Sequence, residues 1–265
     1  MIIDDINFNE LYLNHLKASK HYSLPADKWD KKARNMAQNM IGKISKYNDT
    51  LLAAIHLQPD ETLLDIGCGP GTLAIPLCRQ GKAVYALDYS RGMLEVLQEY
   101  KEQLHLDNLH LLHKSWHDSW EDVPQADVLL ASRSTLVDDL DDMIDKLCAK
   151  AKKRVYLTSV TQRHFLDEGV LQAIGRQNAG FPSYIYLLNR LYQRGIQANL
   201  NFIETESGVF QGKTYEDLLT SVEFSLGALN DGEKTALANF YQQRQQSGQP
   251  IYHGQRKWAL IWWEI

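Results

Sequence analysis

Residues 63–72 read Leu63-Leu64-Asp65-Ile66-Gly67-Cys68-Gly69-Pro70-Gly71-Thr72, an apolar run, a turn with three glycines, and the start of a helical period. Glycine is needed where the backbone takes positive φ, or where a ligand lies against main-chain atoms that a Cβ would cover. A helix beginning at such a turn points unpaired N–H groups and its positive dipole end into it. The turn is therefore expected to hold an anionic group, either a pyrophosphate or an amino-acid carboxylate.

On both sides of the turn, from about Glu61 to Ser159, short apolar runs alternate with segments of helical period. The runs are Thr62–Ile66, Ala83–Asp88, Asp127–Ala131 and Arg154–Thr158, with Leu109–Lys114 a weaker fifth. Continuous apolar runs of this length suit strands buried on both faces, as in a parallel sheet. Between them Met93, Leu94, Leu97, Tyr100 and Leu104 recur at helical spacing, as do Leu140, Met143, Ile144 and Leu147, and Ser90 is placed to cap the first of these helices. The pattern predicts an α/β, doubly wound, mainly parallel sheet with right-handed crossovers.

The flanks read differently. Residues 1–57 form a helical N-terminal cap, in which Ala33, Met36, Ala37, Met40, Ile41, Ile44 and Tyr47 make one apolar stripe. The remainder, 58–265, divides into a core at 61–160, helical insertions at about 161–196 and 213–247, and last strands at about 198–205 and 256–264. The second insertion reads as one helical region from about Tyr215 to Gln246, and Lys257–Trp263 as a strand paired with the one near Asn199.

Composition narrows the partners. A net charge of −5 over 265 residues disfavours nucleic acid or an anionic membrane. The basic run Lys150, Lys152, Lys153, Arg154 falls at a helix end, where cations suit the dipole. Cys68, Cys78 and Cys148 have neither disulfide-framework nor zinc spacing, which fits a reducing compartment. The acidic start and the absence of a spanning apolar run predict a cytoplasmic protein.

The acid two residues before the first glycine and the compact Gly67-x-Gly69-x-Gly71 spacing differ from the G-x-G-x-x-G of dinucleotide folds. The D-x-G-x-G-x-G pattern resembles the first motif of the class I S-adenosylmethionine-dependent methyltransferases. The resemblance covers about Glu61–Ser159, and the closest-looking subgroup has a helical N-terminal cap and helices between the last two strands. It implies a Rossmann-like seven-stranded sheet, S-adenosylmethionine as cofactor with S-adenosylhomocysteine as product, and no metal. Gly67, Gly69 and Gly71 would wrap the methionine and ribose portions, with Cys68 between them and Asp65 bracing the loop or reaching the cofactor amino group through water. Asp88, roughly twenty residues on, would hold the ribose hydroxyls, as an acid there does in both NAD and S-adenosylmethionine folds. Tyr89 and Met93 would flank the adenine, while Ser132 and Arg133 would line the methionine side. The third-strand acid that often binds the adenine amino group is missing: Ser115 stands there, followed by Trp116, His117 and Asp118, and either Ser115 or Asp118 would make that contact.

The acceptor is less legible. After the fourth strand the chain reads Ala131-Ser132-Arg133-Ser134-Thr135, not the Asn/Asp-Pro-Pro-Tyr of nucleic-acid amino methylation, and a Pro-Cys nucleophile is also absent. A small-molecule acceptor is expected, its pocket walled by Tyr22, Trp29, Tyr184 and Tyr186 on flanking helices acting as a lid. Candidates for a general base are Arg133, Ser134, His164 and His21 or Tyr22. Trp116 reads equally as a cofactor contact and as a core aromatic, Trp120 as a core aromatic, and Asp138, Asp139, Asp141 and Asp142 as acids of a helix's first turn rather than a metal cluster. A non-catalytic module binding S-adenosylmethionine or its product, and an NAD-dependent oxidoreductase, are the alternatives.

Overall fold

A computed structural model describes residues 2–19, 25–176, 179–205, 214–251 and 257–265. Seven strands form one sheet: β1 (Thr62–Ile66), β2 (Ala83–Asp88), β3 (Leu109–His113), β4 (Ala126–Ser132), β5 (Ala151–Val160), β6 (Asn199–Glu204) and β7 (Lys257–Glu264). Their order is β3-β2-β1-β4-β5-β7-β6, parallel except where β7 runs antiparallel to both β5 and β6. The chain reverses direction across the sheet between β1 and β4, so the carboxyl ends of those strands border a crevice.

The helices are α1 (Phe8–Ser19), α2 (Ala26–Asp30), α3 (Ala33–Met40), α4 (Lys46–Ala54), α5 (Ala74–Cys78), α6 (Arg91–Gln103), α7 (Leu140–Lys150), α8 (Glu168–Ala173), α9 (Tyr184–Gln193), α10 (Tyr215–Leu226) and α11 (Asp231–Ser247). Neighbouring strand residues alternate between the two faces, so adjacent leucines serve different cores. Leu63 packs with Leu51, Leu97 and Tyr156 on one face; Leu64 packs with Leu129, Ile144 and Leu157 on the other. Helices cover both faces, which is why the core strands read as unbroken apolar runs. Met93 N–H donates to Ser90 Oγ at 3.1 Å, the cap expected for α6.

Three features depart from the sequence reading. The apolar stripe from Ala33 to Tyr47 is broken after Met40: Ile44 is 96% exposed, and Ser45 caps a new helix by accepting from Asn48 N–H. Ala33 and Ala37 then pack on Met93 and Val96, whereas Tyr47 joins the core under β5. The helical region after Tyr215 is two helices, because Asn230 forms a capping box with Glu233 and starts α11 afresh. The helix after the glycine turn has only five residues, Ala74–Cys78.

Charged groups identified from sequence have local duties. Asp139 caps α7, Asp142 pairs with Lys146 within it, and Asp141 pairs with Arg190 and Arg194, which ties α9 to α7. Lys150 donates to Val123 O, while Lys153 and Arg154 pair with Glu61. Helices α8, α10 and α11 share a separate apolar cluster that includes Val170, Leu218 and Leu237. Arg176 fastens it by pairing with Glu233 and donating to Leu226 O. Among the described residues no helix is long and apolar enough to cross a membrane.

Candidate functional site

The glycine turn sits at the carboxyl end of β1, with φ of 72° at Gly67, 55° at Gly69 and 93° at Gly71. A Cβ on Gly67 would overlap the Ser134 side chain, so this glycine is required by packing. A Cβ on Gly69 would meet nothing within 4 Å, so that backbone faces open space where a ligand can approach.

The turn's N–H groups are largely committed within the protein. Gly67 and Cys68 donate to Leu87 O, Gly71 donates to Cys68 O, and Gly69 donates to Asp88 Oδ2 at 2.8 Å. With these donors engaged and only a five-residue helix behind them, the turn is not the anion cradle its sequence suggests. Its charge is instead negative. Asp88, 6% exposed, also accepts from Ser90 N–H through Oδ1 at 2.8 Å. Burial raises its pKa against the lowering effect of those backbone donors. Asp65 is 1% exposed, and its Oδ2 is buried without a partner. Burial, and then the charge of Asp88, push its carboxyl up to about 7. A pyrophosphate would meet two carboxylates here, whereas a ligand offering hydroxyl donors and positive charge would satisfy both.

Beyond Asp88, the Tyr89 hydroxyl is bonded to the Trp29 side chain, and burial raises its pKa to about 12. Asp30, next to Trp29, accepts from Ser90 Oγ at 2.6 Å and Gly92 N–H at 2.8 Å, seating α2 on the start of α6. Met93 is buried under α3. Ser115 Oγ and N–H both donate to Asp118 Oδ2, so these two residues, alternatives in the sequence for the adenine contact, close a turn on each other. Trp116 stacks on Trp120 at 4.9 Å and donates its indole N–H to Ser134 O. Trp116 thereby packs against the core.

The end of β4 carries a network that sequence reasoning missed. Tyr47 of α4 bridges Ser132 Oγ at 2.8 Å and Thr158 Oγ1 at 2.7 Å, and Arg133 N–H donates to the same Thr158 hydroxyl at 2.9 Å. The Arg133 guanidinium lies 4.2 Å from the Tyr47 ring centroid. Arg133 adopts φ of 58°, a left-handed conformation costing a non-glycine residue roughly 1–3 kcal/mol. Ser134 Oγ donates to Ile66 O at 2.6 Å, joining this loop to the glycine turn. Beside it lies a narrow cleft lined by Tyr12, Arg133, Phe165, Leu187 and Trp258, among others.

Residues 63–155 match the family described as a methyltransferase domain. The whole chain is 68% identical to 99% of an uncharacterized protein of Haemophilus influenzae. The β1–β5 core is a methyltransferase domain of the class I, S-adenosylmethionine-dependent kind. Solved structures of this methyltransferase fold include magnesium protoporphyrin IX methyltransferase of Synechocystis with bound S-adenosylhomocysteine. That likeness has a TM-score of 0.50 and 21% identity, over 77% of this chain and 91% of that one. The [4+2]-cyclase SpnF aligns with a TM-score of 0.57 and 13% identity, over 90% of this chain and 94% of that one.

Within this methyltransferase the sequence candidates separate into three places. Asp65, the glycine turn, Cys68, Asp88 and Tyr89 lie together, and Ser132 and Arg133 adjoin them through Ser134. Trp29 stands by Tyr89 and edge-on to Phe224 at 5.8 Å, so α10 leans on α2. Tyr184 packs against Phe202, and Tyr186 against Tyr12 and His15, so the lining of the cleft falls to their helix neighbours Ser183 and Leu187. The three described acceptor-wall candidates, Trp29, Tyr184 and Tyr186, therefore do not gather in one pocket; Tyr22, like His21, lies outside the described residues. Arg133 is unsuited as a base because a guanidinium stays protonated, and the Ser134 hydroxyl is engaged with Ile66 O. His164 lies near Phe181, where burial lowers its pKa.

Proposed function

We propose that this chain binds S-adenosylmethionine at the glycine turn and transfers its methyl group to a small-molecule acceptor in the adjoining cleft. The observation that carries the cofactor choice is the pair of buried carboxylates, Asp65 and Asp88, beside a turn whose N–H groups are already engaged. Asp88 retains lone pairs for two ribose hydroxyls while holding Gly69 and Ser90. The unpartnered Asp65 Oδ2 suits a cationic group on the ligand, and the open face of Gly69 admits close approach. When bound, the sulfonium cofactor supplies an already activated methyl group. The chain's part is to orient the acceptor and keep water out.

The cleft beside Arg133 supports a small acceptor, in keeping with the enzyme named for the Synechocystis structure. A domain plan with residues 1–57 as cap and the later helices as lid is part of the reading, supported by the Trp29–Phe224 contact across α2 and α10. S-adenosylhomocysteine is expected to protect residues 25–30 from limited proteolysis.

Titration calorimetry tests the cofactor: S-adenosylhomocysteine should bind and NADH give no heat. Tight NADH binding with no response to S-adenosylhomocysteine would reverse the assignment. The SpnF likeness gives a second reading its footing, since this fold also serves a [4+2]-cyclase. Tritiated-methyl transfer over metabolite pools separates the two. Cofactor binding without label transfer to any pool favours the non-methylating alternative.

A further inference from the structure

The cleft after β4 is apolar apart from a few hydroxyls and one guanidinium. Leu136, Leu140, Phe165, Leu187 and Trp258 supply its walls, and Ser159 and Ser183 bring hydroxyls. Its other titratable group is Tyr12, whose hydroxyl donates to Val137 O at 2.6 Å and whose pKa burial raises. Arg133 is thus the formal charge on the described lining, and among the described residues no carboxylate pairs with it. The other arginines of the neighbouring helix are engaged: Arg190 and Arg194 both pair with Asp141.

Arg133 is also held in place. Its backbone is left-handed, its N–H is fixed to Thr158 Oγ1, and its guanidinium rests on the Tyr47 ring, itself anchored by two hydroxyl contacts. A side chain oriented at the expense of backbone strain beside a cleft is a device for recognition. A guanidinium presents a planar fork of donors that matches a carboxylate. A single guanidinium at the edge of the cleft matches one negative charge, whereas a phosphate monoester would carry a second.

Resting on the methyl-transfer reading, we propose that the acceptor is an apolar small molecule bearing a single carboxylate, which Arg133 holds in this cleft. This assigns Arg133 to the acceptor rather than to the cofactor's methionine end.

The test uses the full chain saturated with S-adenosylhomocysteine, titrated with 3-phenylpropionate, its neutral counterpart 3-phenylpropan-1-ol, and phenyl phosphate. The carboxylate should bind roughly tenfold more tightly than the alcohol. Arg133→Met should abolish that preference while leaving S-adenosylhomocysteine affinity in place, and Arg133→Lys should restore part of it. Equal affinity for acid and alcohol, no binding by any probe, or tighter binding of phenyl phosphate overturns the proposal. Loss of S-adenosylhomocysteine binding in Arg133→Met also overturns it, by returning Arg133 to the cofactor. If wild-type protein does not bind S-adenosylhomocysteine, the methyl-transfer reading itself falls.

Discussion

Replacing Asp65 by Asn removes an ionisable group from the interior without changing its shape. In the folded chain burial lifts this carboxyl from 3.8 to about 7. At about 1.4 kcal/mol per pH unit, the ionised form costs the folded state about 4 kcal/mol once the pH exceeds 7. The folded protein binds the extra proton, so the associated stability is fully present below pH 3.8 and is lost as pH rises through about 7. Asp65→Asn lacks this dependence. A buried amide in need of partners adds a constant offset, on the order of 1–3 kcal/mol, at every pH. The informative quantity is therefore the change with pH. Between pH 4 and 8 the variant should gain about 4 kcal/mol relative to wild type, or roughly 8–16 °C in relative melting temperature, and level off above. Urea denaturation of the ligand-free protein across that range measures it. The same group predicts proton release when a cationic cofactor binds below about pH 7, visible as buffer-dependent heats with S-adenosylmethionine. A stability difference that does not vary with pH would refute the reasoning, because Asp65 would then titrate alike in both states.

Asp88→Ala removes the acceptor of Gly69 and Ser90 N–H, each charge-assisted bond contributing about 1.5–3 kcal/mol, so it should weaken cofactor affinity by roughly a hundredfold and destabilise the ligand-free fold too. Calorimetry and denaturation report the two effects, and normal binding would reduce Asp88 to a brace. Gly69→Ala places a methyl group in open space at a left-handed residue, costing about 1–2 kcal/mol of stability while blocking the cofactor. Gly67→Ala, which overlaps Ser134, should instead lose more stability than Gly69→Ala in the same denaturation assay. Tyr47→Phe strips a shared partner from Ser132 and Thr158 and should destabilise the protein by about 1–3 kcal/mol, measured by urea denaturation.

The parallel core and the cofactor turn were legible because their signals are local. Leu63 and Leu64 both read as apolar since each must be buried on its own face, and Gly67 and Gly69 mark backbone that takes positive φ. The Ser90 cap is likewise a short-range contact, written within three residues of Met93. How the turn's own N–H groups are used was not legible. Whether its N–H groups stay free depends on Leu87 and Asp88, brought alongside by strand pairing, and that pairing reverses the expected preference for an anion.

Contacts distant along the chain belong to tertiary structure alone. Tyr47 meets Thr158 across 111 positions, and Asp30 meets Ser90 across 60, with no periodicity to announce either. The helical flank ran past Met40 in the sequence because its apolar spacing continues, and the fold breaks it where Ser45 can cap a new axis. Tyr184 and Tyr186 looked like pocket walls because aromatic residues suit ligands. Packing spends them on Phe202, Tyr12 and His15, and leaves the cleft to Arg133, a residue whose use depends on Tyr47 lying beneath it. Amino-acid sequence determined which backbone segments could be strands, turns and caps, since those follow from each residue's own stereochemistry and short-range spacing. The charge and shape of the site were decided by which side chains the fold brought together, since burial and pairing exist only between elements already in place.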